Sequence, residues 1–244
     1  MRIKVINPNT TLSMTDKIGE AARTGVSPDT EIISVSPEGG AASIEGHQDE
    51  AIAAMGVLDV IRKDEGKSDA YIIACFGDPG LLAAREITDR PVLGVAEAGM
   101  HAATFVGSGF SIVTTLARTI NIARHLVILY GMSEHCRRIR ASELEVLALE
   151  DPQSNAYRII LDECQKAIKE DECNAIVLGC AGMADLAKNL TAELKIPIID
   201  GVVVAAGFAE ALVRIGLKTG KQHDLAFPLS KSYSGIYSSF SPSK

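Results

Sequence analysis

The segment DAYIIACFGDPGLLAAREITDRPVLGV (residues 69–95) recurs in altered form as NAIVLGCAGMADLAKNLTAELKIPIIDGV (residues 174–202). Each copy has an apolar run, a cysteine, small residues, a helical stretch, a proline and a second apolar run. The two cysteines, Cys75 and Cys180, are 105 positions apart. Self-similarity at this scale predicts two related lobes about a pseudo-twofold axis, and not a solenoid of short repeats.

Runs typical of β-strands alternate with helical periodicity along the rest of the chain. This alternation predicts an α/β fold of two pseudo-symmetric lobes, each a mostly parallel sheet flanked by helices, with the active site in the cleft between them. Lobe 1 is expected over residues 1–96, completed by residues 202–244, and lobe 2 over residues 97–201. The predicted strands are RIKVI, TEIISVS, AYIIA, RPVLGV, FSIVTT, LEVLAL, AIVLG and IPIID.

Composition limits the classes of partner. The chain has 244 residues, of which 47% are hydrophobic, enough for a sizeable core. Lys and Arg total 24 against 31 Asp and Glu, with a net charge of -7, which argues against a nucleic-acid or anionic-membrane surface. Neither a signal peptide nor a run of about 18 apolar residues is present. We expect a cytoplasmic, enzyme-sized protein that acts on a small molecule.

The five cysteines give no sign of a metal site or a disulfide scaffold. Their number is odd, and they lack CxxC or histidine-paired spacing. Motifs for nucleotide, zinc and serine-nucleophile chemistry are also missing. The sequence therefore predicts neither a metal nor an organic cofactor. Three cysteines, Cys136, Cys164 and Cys173, are interpreted as packing residues.

Cys75 and Cys180 have a different expected role, because both end a strand where open α/β sheets bind ligands. The pseudo-twofold would place the two thiols on opposite sides of a bound molecule. Amides at the start of the helix after each cysteine are expected to lower the thiol pKa. A thiolate and a thiol on opposite faces of one carbon suit racemisation. For either cysteine alone, a core role is the simplest alternative.

Several alternatives stay open at this level. The same fold could be a non-catalytic small-molecule binding module, or the cysteine pair a redox switch, which needs the two sulfurs in contact. Glu45, His47 and Glu150 could cap helices or line the cleft, orienting the thiols. The serine-rich tail from Thr219 could be disordered or a docked arm.

Several motifs together resemble the Asp/Glu/hydantoin racemase superfamily: VINPNT, ACFGDPGL, RPVLGVAEA, IVLGCAGM and IPIIDGV. Within it, SIEGH, FSIVTTLART, ARHL, LALED and HDLAFP are most similar to the allantoin racemase branch, with hydantoin racemases as near neighbours. The resemblance implies a cofactor-independent, homo-oligomeric isomerase in which Cys75 and Cys180 are the two bases. It also implies allantoin as the substrate, with 5-monosubstituted hydantoins as the alternative.

Removal of the C5 hydrogen of a hydantoin ring gives an enolate-like anion whose charge must be stabilised. The candidate loops are mostly neutral, which favours a neutral ring over an amino acid. Thr114 has two possible equivalents in the first half, Asn9 at the 105-residue offset or Asn7 by strand alternation. The expected substrate contacts are the amides of Phe76, Gly77, Ala181 and Gly182, the side chains of Asn9, Thr114 and Thr115, and Ile44 packed on the ring.

Overall fold

The computed structural model describes residues 1–151 and 153–242, and its first sheet is built from the N-terminal part of the chain. The four strands of this sheet are all parallel, in the order β2-β1-β3-β4. They are β1 (Arg2–Ile6), β2 (Glu31–Val35), β3 (Ala70–Ile73) and β4 (Val92–Gly94). The helices beside them are α1 (Leu12–Thr24), α2 (His47–Asp64) and α3 (Leu81–Ile87).

The second sheet repeats the first. Its four parallel strands have the order β6-β5-β7-β8, the same topology as the first sheet. This identity of order confirms the predicted α/β fold of two pseudo-symmetric lobes. The strands are β5 (Phe110–Thr114), β6 (Cys136–Ala141), β7 (Ala175–Leu178) and β8 (Ile198–Ile199). The accompanying helices are α5 (Ile120–Leu129), α6 (Ala156–Glu170) and α7 (Ala187–Leu194).

Two further helices, α4 (Val95–Val106) and α8 (Gly201–Arg214), pack against each other between the sheets. The approach is close, because a Cβ at Gly201 would collide with the carbonyl oxygen of Val95. Asp200 caps α8 by accepting a hydrogen bond from the amide of Val202 at 2.8 Å. Within residues 1–151 and 153–242, no helix combines the length and apolar character needed to cross a membrane. The predicted lobe boundaries at residues 96 and 201 stay a prediction.

One strand prediction is wrong. LEVLAL, expected as a strand, contains the start of a short 3-10 helix at Val146–Glu150, and the outer strand of the second sheet is CRRIRA at Cys136–Ala141. An edge strand tolerates charged residues, so this one lacks the apolar signature. Its Arg140 is 9% exposed and donates to Asp171 Oδ2 and Glu170 Oε2, both at 2.7 Å. Ion pairs with residues distant in sequence therefore stabilise a strand whose own composition does not indicate one.

The C-terminal tail contacts the first lobe near its start and near its end, whereas Tyr233 and Tyr237 between them are exposed. Thr219 donates its amide hydrogen to the carbonyl of Asp89 at 2.9 Å. The Lys221 ammonium donates to the carbonyl of Arg85 at 2.8 Å, at the end of α3. Further along, the Phe240 ring lies 5.7 Å from the Arg62 guanidinium carbon. The tail is thus docked on the first lobe at these two places, and whether it acts as an arm along its whole length stays a prediction.

Candidate active site

The predicted catalytic cysteines lie on two matching loops that follow the inner strands β3 and β7. The carbonyl of Cys75 accepts a hydrogen bond from the amide of Asp78 at 2.9 Å, and the carbonyl of Cys180 accepts one from Met183 at 3.1 Å. Both residues are half-buried. Both line the same cleft, whose other lining residues come from both lobes. The loops therefore present one thiol from each lobe to a shared space.

The backbone register decides which residue of β1 corresponds to Thr114. Ala74 donates its amide hydrogen to Ile6 at 2.8 Å, and its counterpart Gly179 donates to Val113 at 2.7 Å. Ile6 is thus equivalent to Val113, at an offset of 107 residues, although the cysteines are 105 apart. The next residues, Asn7 and Thr114, are therefore the equivalent pair. Alignment by strand alternation is confirmed, and the 105-residue offset that pointed to Asn9 is wrong for this strand.

All ten residues predicted for the site line this one cleft. They are Asn9, Ile44, Cys75, Phe76, Gly77, Thr114, Thr115, Cys180, Ala181 and Gly182. Further lining residues were not among them. Those that matter most for the chemistry are Asn7, Met14, Glu50, Thr119 and Val146, together with Glu45, for which lining the cleft was one of the open alternatives. For Asn7 the strand-alternation pattern was an available signal, whereas nothing in the sequence brings Glu50 or Val146 to the cysteines.

Two buried asparagines form the floor of the cleft on the side of the first lobe. Asn7 and Asn9 are 1% and 4% exposed. The amide group of Asn7 donates to Asn9 Oδ1 at 2.8 Å and to Thr15 Oγ1 at 3.0 Å. The amide nitrogen of Asn9 has only the Met14 sulfur, a weak acceptor, at 3.3 Å. Asn7 therefore orients Asn9, and Asn9 keeps donor capacity for a ligand.

Threonines occupy the corresponding place in the second lobe. The Thr114 hydroxyl lies 2.9 Å from Thr119 Oγ1 and donates to the carbonyl of Gly179 at 3.3 Å. Position 179 needs a glycine, because a Cβ there would lie 2.8 Å from the Thr114 Cα. Thr115 is 3% exposed and its hydroxyl has no hydrogen-bond partner among the described residues. The hydroxyl of Thr115 is thus available to a molecule in the cleft.

Apart from the two thiols, the ionisable side chains that line the cleft in the described part of the chain are the carboxylates of Glu45 and Glu50. Glu45 Oε1 accepts the amide hydrogen of Val146 at 2.8 Å and so connects the two lobes. Glu50 Oε2 lies 3.3 Å from the His47 Nδ1. No lysine, arginine or histidine among the described residues lines the cleft. The charged side chains of the lining are therefore both acidic, although the Arg118 guanidinium lies against the backbone of Gly46, which also lines the cleft.

The symmetry between Glu45 and Glu150 does not extend to their contacts. Glu150 lies outside the cleft lining and accepts a hydrogen bond from the Lys17 ammonium at 3.0 Å. The His47 side chain is 71% exposed and also lies outside it. Glu45 accepts a hydrogen bond from the first amide of the 3-10 helix Val146–Glu150, whereas His47 and Glu150 make no helix-capping side-chain bond in the described part of the chain. Within the described residues, no group of three or more His, Cys, Asp and Glu has a geometry that could hold a metal ion.

Burial decides the acidity of both thiols. It raises the pKa of the Cys75 thiol well above its ordinary value, and it raises the pKa of the Cys180 thiol to about 11. The amides of Gly77 and Gly182 act in the opposite direction by donating to the sulfurs, but their effect is smaller. The expectation that helix-start amides lower the thiol pKa overall is therefore wrong, because the cleft excludes water from the charged form.

A buried carboxylate anchors the Cys75 loop. Asp78, 5% exposed, accepts hydrogen bonds from the amides of Ala96 and Glu97 at 3.1 and 2.9 Å and from the Tyr130 hydroxyl at 2.8 Å. Burial raises the pKa of Asp78 to about 7. Its backbone has φ 43, a left-handed conformation rare for a residue with a side chain. Three donors from two other elements hold that strained turn, and with it the loop, in place.

Comparisons with known proteins agree on one family. The Asp/Glu/Hydantoin racemase family profile matches residues 3–209. The solved structure of an allantoin racemase from Klebsiella pneumoniae is 55% identical, with a TM-score of 0.97 and 99% of each chain covered. An allantoin racemase from Pseudomonas fluorescens is 39% identical, with a TM-score of 0.93, over 96% of this chain and 100% of that one. A hydantoin racemase from Pseudomonas sp. (strain NS671) is 45% identical over 98% of this chain and 97% of its own.

Proposed function

We propose that this chain, which belongs to the Asp/Glu/hydantoin racemase family, interconverts the enantiomers of allantoin by proton transfer at C5 of the hydantoin ring. The chain is accordingly an isomerase. The observation that carries the mechanism is the pair of pseudo-equivalent cysteines on one cleft. The choice of substrate is supported by the 55% identity to an allantoin racemase across 99% of the chain.

In the proposed mechanism Cys75 and Cys180 approach C5 from opposite faces. The thiolate of one removes the C5 proton, and the thiol of the other donates its proton to the opposite face. One proton has then left the ring and another has been added, so the product is the other enantiomer. The protonation states of the two sulfurs are exchanged, which prepares the enzyme for the reverse reaction.

The raised thiol pKa values fit this chemistry. A hydrogen next to a carbonyl and a ring nitrogen is only weakly acidic, so a thiolate of high pKa is a better matched base than an ordinary one. The same burial makes the thiolate scarce in the empty cleft near neutral pH. We therefore expect binding of a neutral ring, with its N–H donors, to favour formation of the reactive thiolate.

The anion that forms needs hydrogen-bond donors at the carbonyl oxygens of the ring. We assign this role to the backbone amides that follow the two thiols, where the charge develops in a cleft of low water content. Asn9 and Thr115 add side-chain donors from the opposing loops, the Thr114 hydroxyl offers an acceptor to a ring N–H because its own hydrogen is donated to Gly179, and Ile44 packs on the ring. The amides are those of Phe76, Gly77, Ala181 and Gly182.

The charge of the cleft argues against an amino-acid substrate. An α-carboxylate would require a cation, yet Glu45 and Glu50 are the charged side chains that line the cleft in the described residues. A neutral ring carries no negative charge and therefore needs no cation in the cleft. A second candidate, racemisation of 5-monosubstituted hydantoins, is favoured by the 45% identity to a hydantoin racemase. The chemistry would be the same and only the C5 substituent would differ.

In the cell, we propose a cytoplasmic homo-oligomer that serves purine breakdown. It would supply the allantoin enantiomer that a stereospecific hydrolase consumes. We propose a lobe division at residues 96 and 201.

We propose that the activity needs no metal, no organic cofactor, and no nucleic-acid or membrane partner. EDTA is expected to leave the racemisation rate unchanged. Loss of activity that a divalent metal restores would contradict this expectation.

Polarimetry with purified protein tests the proposal. Single enantiomers of allantoin and of 5-alkyl and 5-arylmethyl hydantoins are incubated with the enzyme, and the decay of optical rotation is compared with the uncatalysed rate. We expect the fastest decay with allantoin. Faster decay with an alkyl or aryl hydantoin would favour the second candidate. No enzyme-dependent loss of rotation with any of them would leave the binding-module and redox-switch alternatives.

A further inference from the structure

Among the described residues, two carboxylates that the proton transfers above do not use line the cleft, and one of them, that of Glu50, has an oxygen with no protein donor. The Glu50 side chain is 18% exposed and belongs to the first turn of α2. Oε2 lies 3.3 Å from Nδ1 of His47, an imidazole that is itself 71% exposed. The hydrogen bonds of the described residues leave Oε1 without a protein donor. Glu45, the other carboxylate of the cleft, is already bound to the amide of Val146 at 2.8 Å.

Oε1 of Glu50 lies next to the Cys75 loop. A Cβ at Gly77 would collide with this oxygen, so the carboxylate lies directly against the backbone two residues after Cys75. The negative charge of Glu50 is also one of the causes that raise the pKa of the Cys75 thiol. Burial raises the pKa of Glu50 itself, while His47 and His125 act against that increase. The carboxylate thus lies near the face from which Cys75 would reach C5.

A free carboxylate at this place works against the reaction unless the substrate supplies donors. Negative charge develops at the ring when the C5 proton leaves, and a second negative charge nearby raises the energy of that state. N–H groups that donate hydrogen bonds to the carboxylate disperse its negative charge and so reduce its repulsion of the charge that develops on the ring. The ureido substituent on C5 of allantoin carries such N–H groups. An alkyl substituent on the same carbon carries none.

We infer that Glu50 is a specificity-determining residue that accepts hydrogen bonds from N–H groups of the C5 substituent and so selects ureido-bearing rings over alkyl-bearing ones. The inference rests on the proposed racemase function. The N–H groups of the hydantoin ring are common to both kinds of substrate, so a contact with them would not discriminate. Glu50 therefore acts on the substituent, and the amides and hydroxyls of the cleft act on the ring.

The test compares two substrates that differ only in the C5 substituent, allantoin and 5-methylhydantoin. Glu50→Gln keeps the size of the side chain and removes its charge. Since charge-assisted hydrogen bonds are about twice as strong as neutral ones, we expect kcat/KM for allantoin to fall about tenfold or more. With 5-methylhydantoin, kcat/KM should stay unchanged or rise, because a repulsive charge is gone. Glu50→Asp, which keeps the charge, should recover part of the preference for allantoin.

Glu38→Gln is the matched control, because it makes the same change in net charge at a surface carboxylate that is 88% exposed and pairs with Lys63. It should leave both substrates as in the wild type. Circular dichroism verifies that each variant is folded. An equal loss for both substrates with Glu50→Gln would assign the carboxylate to the ring or the thiol and overturn the inference. Unchanged kinetics with both substrates would overturn it as well.

Failure of the proposed function would be recognised separately, as a wild-type enzyme that racemises neither substrate. Calorimetric titration with allantoin and 5-methylhydantoin then decides the inference alone. We expect Glu50→Gln to weaken allantoin binding about tenfold and to leave 5-methylhydantoin binding unchanged. Equal changes for the two ligands, or no binding of either to the wild type, would overturn the assignment of Glu50.

Discussion

Replacement of either thiol by a hydroxyl is the most direct perturbation of the proposed mechanism. Cys75→Ser and Cys180→Ser keep the size of the side chain and the neighbouring amide donors. A serine hydroxyl, however, has a pKa far above that of a thiol, so it can neither remove the C5 proton nor return one at a useful rate. Each variant thus has one working base and one face of the ring without an acid.

The magnitude follows from what each variant retains. Racemisation needs both residues, and loss of one acid–base group typically costs about 10²- to 10⁴-fold in rate, or about 3 to 5 kcal/mol in the barrier. Proton removal by the remaining thiolate needs only one residue. For Cys75→Ser the base is Cys180, with a pKa of about 11, as in the wild type. Exchange of the C5 hydrogen should therefore persist while racemisation falls.

Two measurements in deuterated water separate these processes. Proton NMR follows loss of the C5 signal of each pure allantoin enantiomer, and circular dichroism follows racemisation, both corrected for the uncatalysed reaction. We expect each single variant to exchange one enantiomer, and the two variants to prefer opposite enantiomers. Cys136→Ser is the control, because this half-buried cysteine is in β6 and does not line the cleft. It should racemise like the wild type.

Two outcomes would refute the reasoning. Racemisation near the wild-type rate by a folded Cys75→Ser or Cys180→Ser variant would exclude a mechanism that needs both bases. Exchange of the same enantiomer by both variants would show that the two thiols act on one face. A disulfide between Cys75 and Cys180, found by peptide mapping under native conditions, would instead favour the redox switch.

The remaining predictions concern pH and stability. Because the pKa of Cys180 is about 11, kcat/KM should rise about tenfold per pH unit between about pH 6 and 9, and a flat profile after correction for uncatalysed racemisation would contradict this. Tyr130→Phe removes a donor to buried Asp78, so urea denaturation should show about 1.5 to 3 kcal/mol less stability, and an unchanged midpoint would contradict the anchoring role. Bonds from Thr30 and Arg214 hold the pKa of Glu210 at about 2, below its unfolded value, so its stabilisation is present above about pH 4.5 and is lost as pH falls through about 2. Glu210→Gln should therefore lower the urea midpoint at neutral pH more than near pH 2, and equal shifts at the two pH values would refute the assignment.

The parts of the fold that could be predicted depend on short-range pattern. Two similar segments around Cys75 and Cys180 indicated two lobes, and parallel strands end in loops on the same edge of a sheet. That rule alone brings the residues after each strand into one cleft, which is why the ten predicted residues are found together. Strand alternation pairs Asn7 with Thr114, as the backbone register does, whereas a constant offset of 105 residues points to Asn9.

Tertiary structure decided what depends on contacts between distant segments. The strand CRRIRA could not be recognised because its stability comes from ion pairs such as that of Arg140 with Asp171, 31 residues away. Glu50 reaches the cleft through the packing of α2 against the Cys75 loop, a placement that no local pattern encodes. The thiol pKa values are the clearest case, because the local amides lower them while desolvation by both lobes raises them more. Sequence gives the order of residues along a loop, but the exclusion of water from a charge depends on everything that surrounds it.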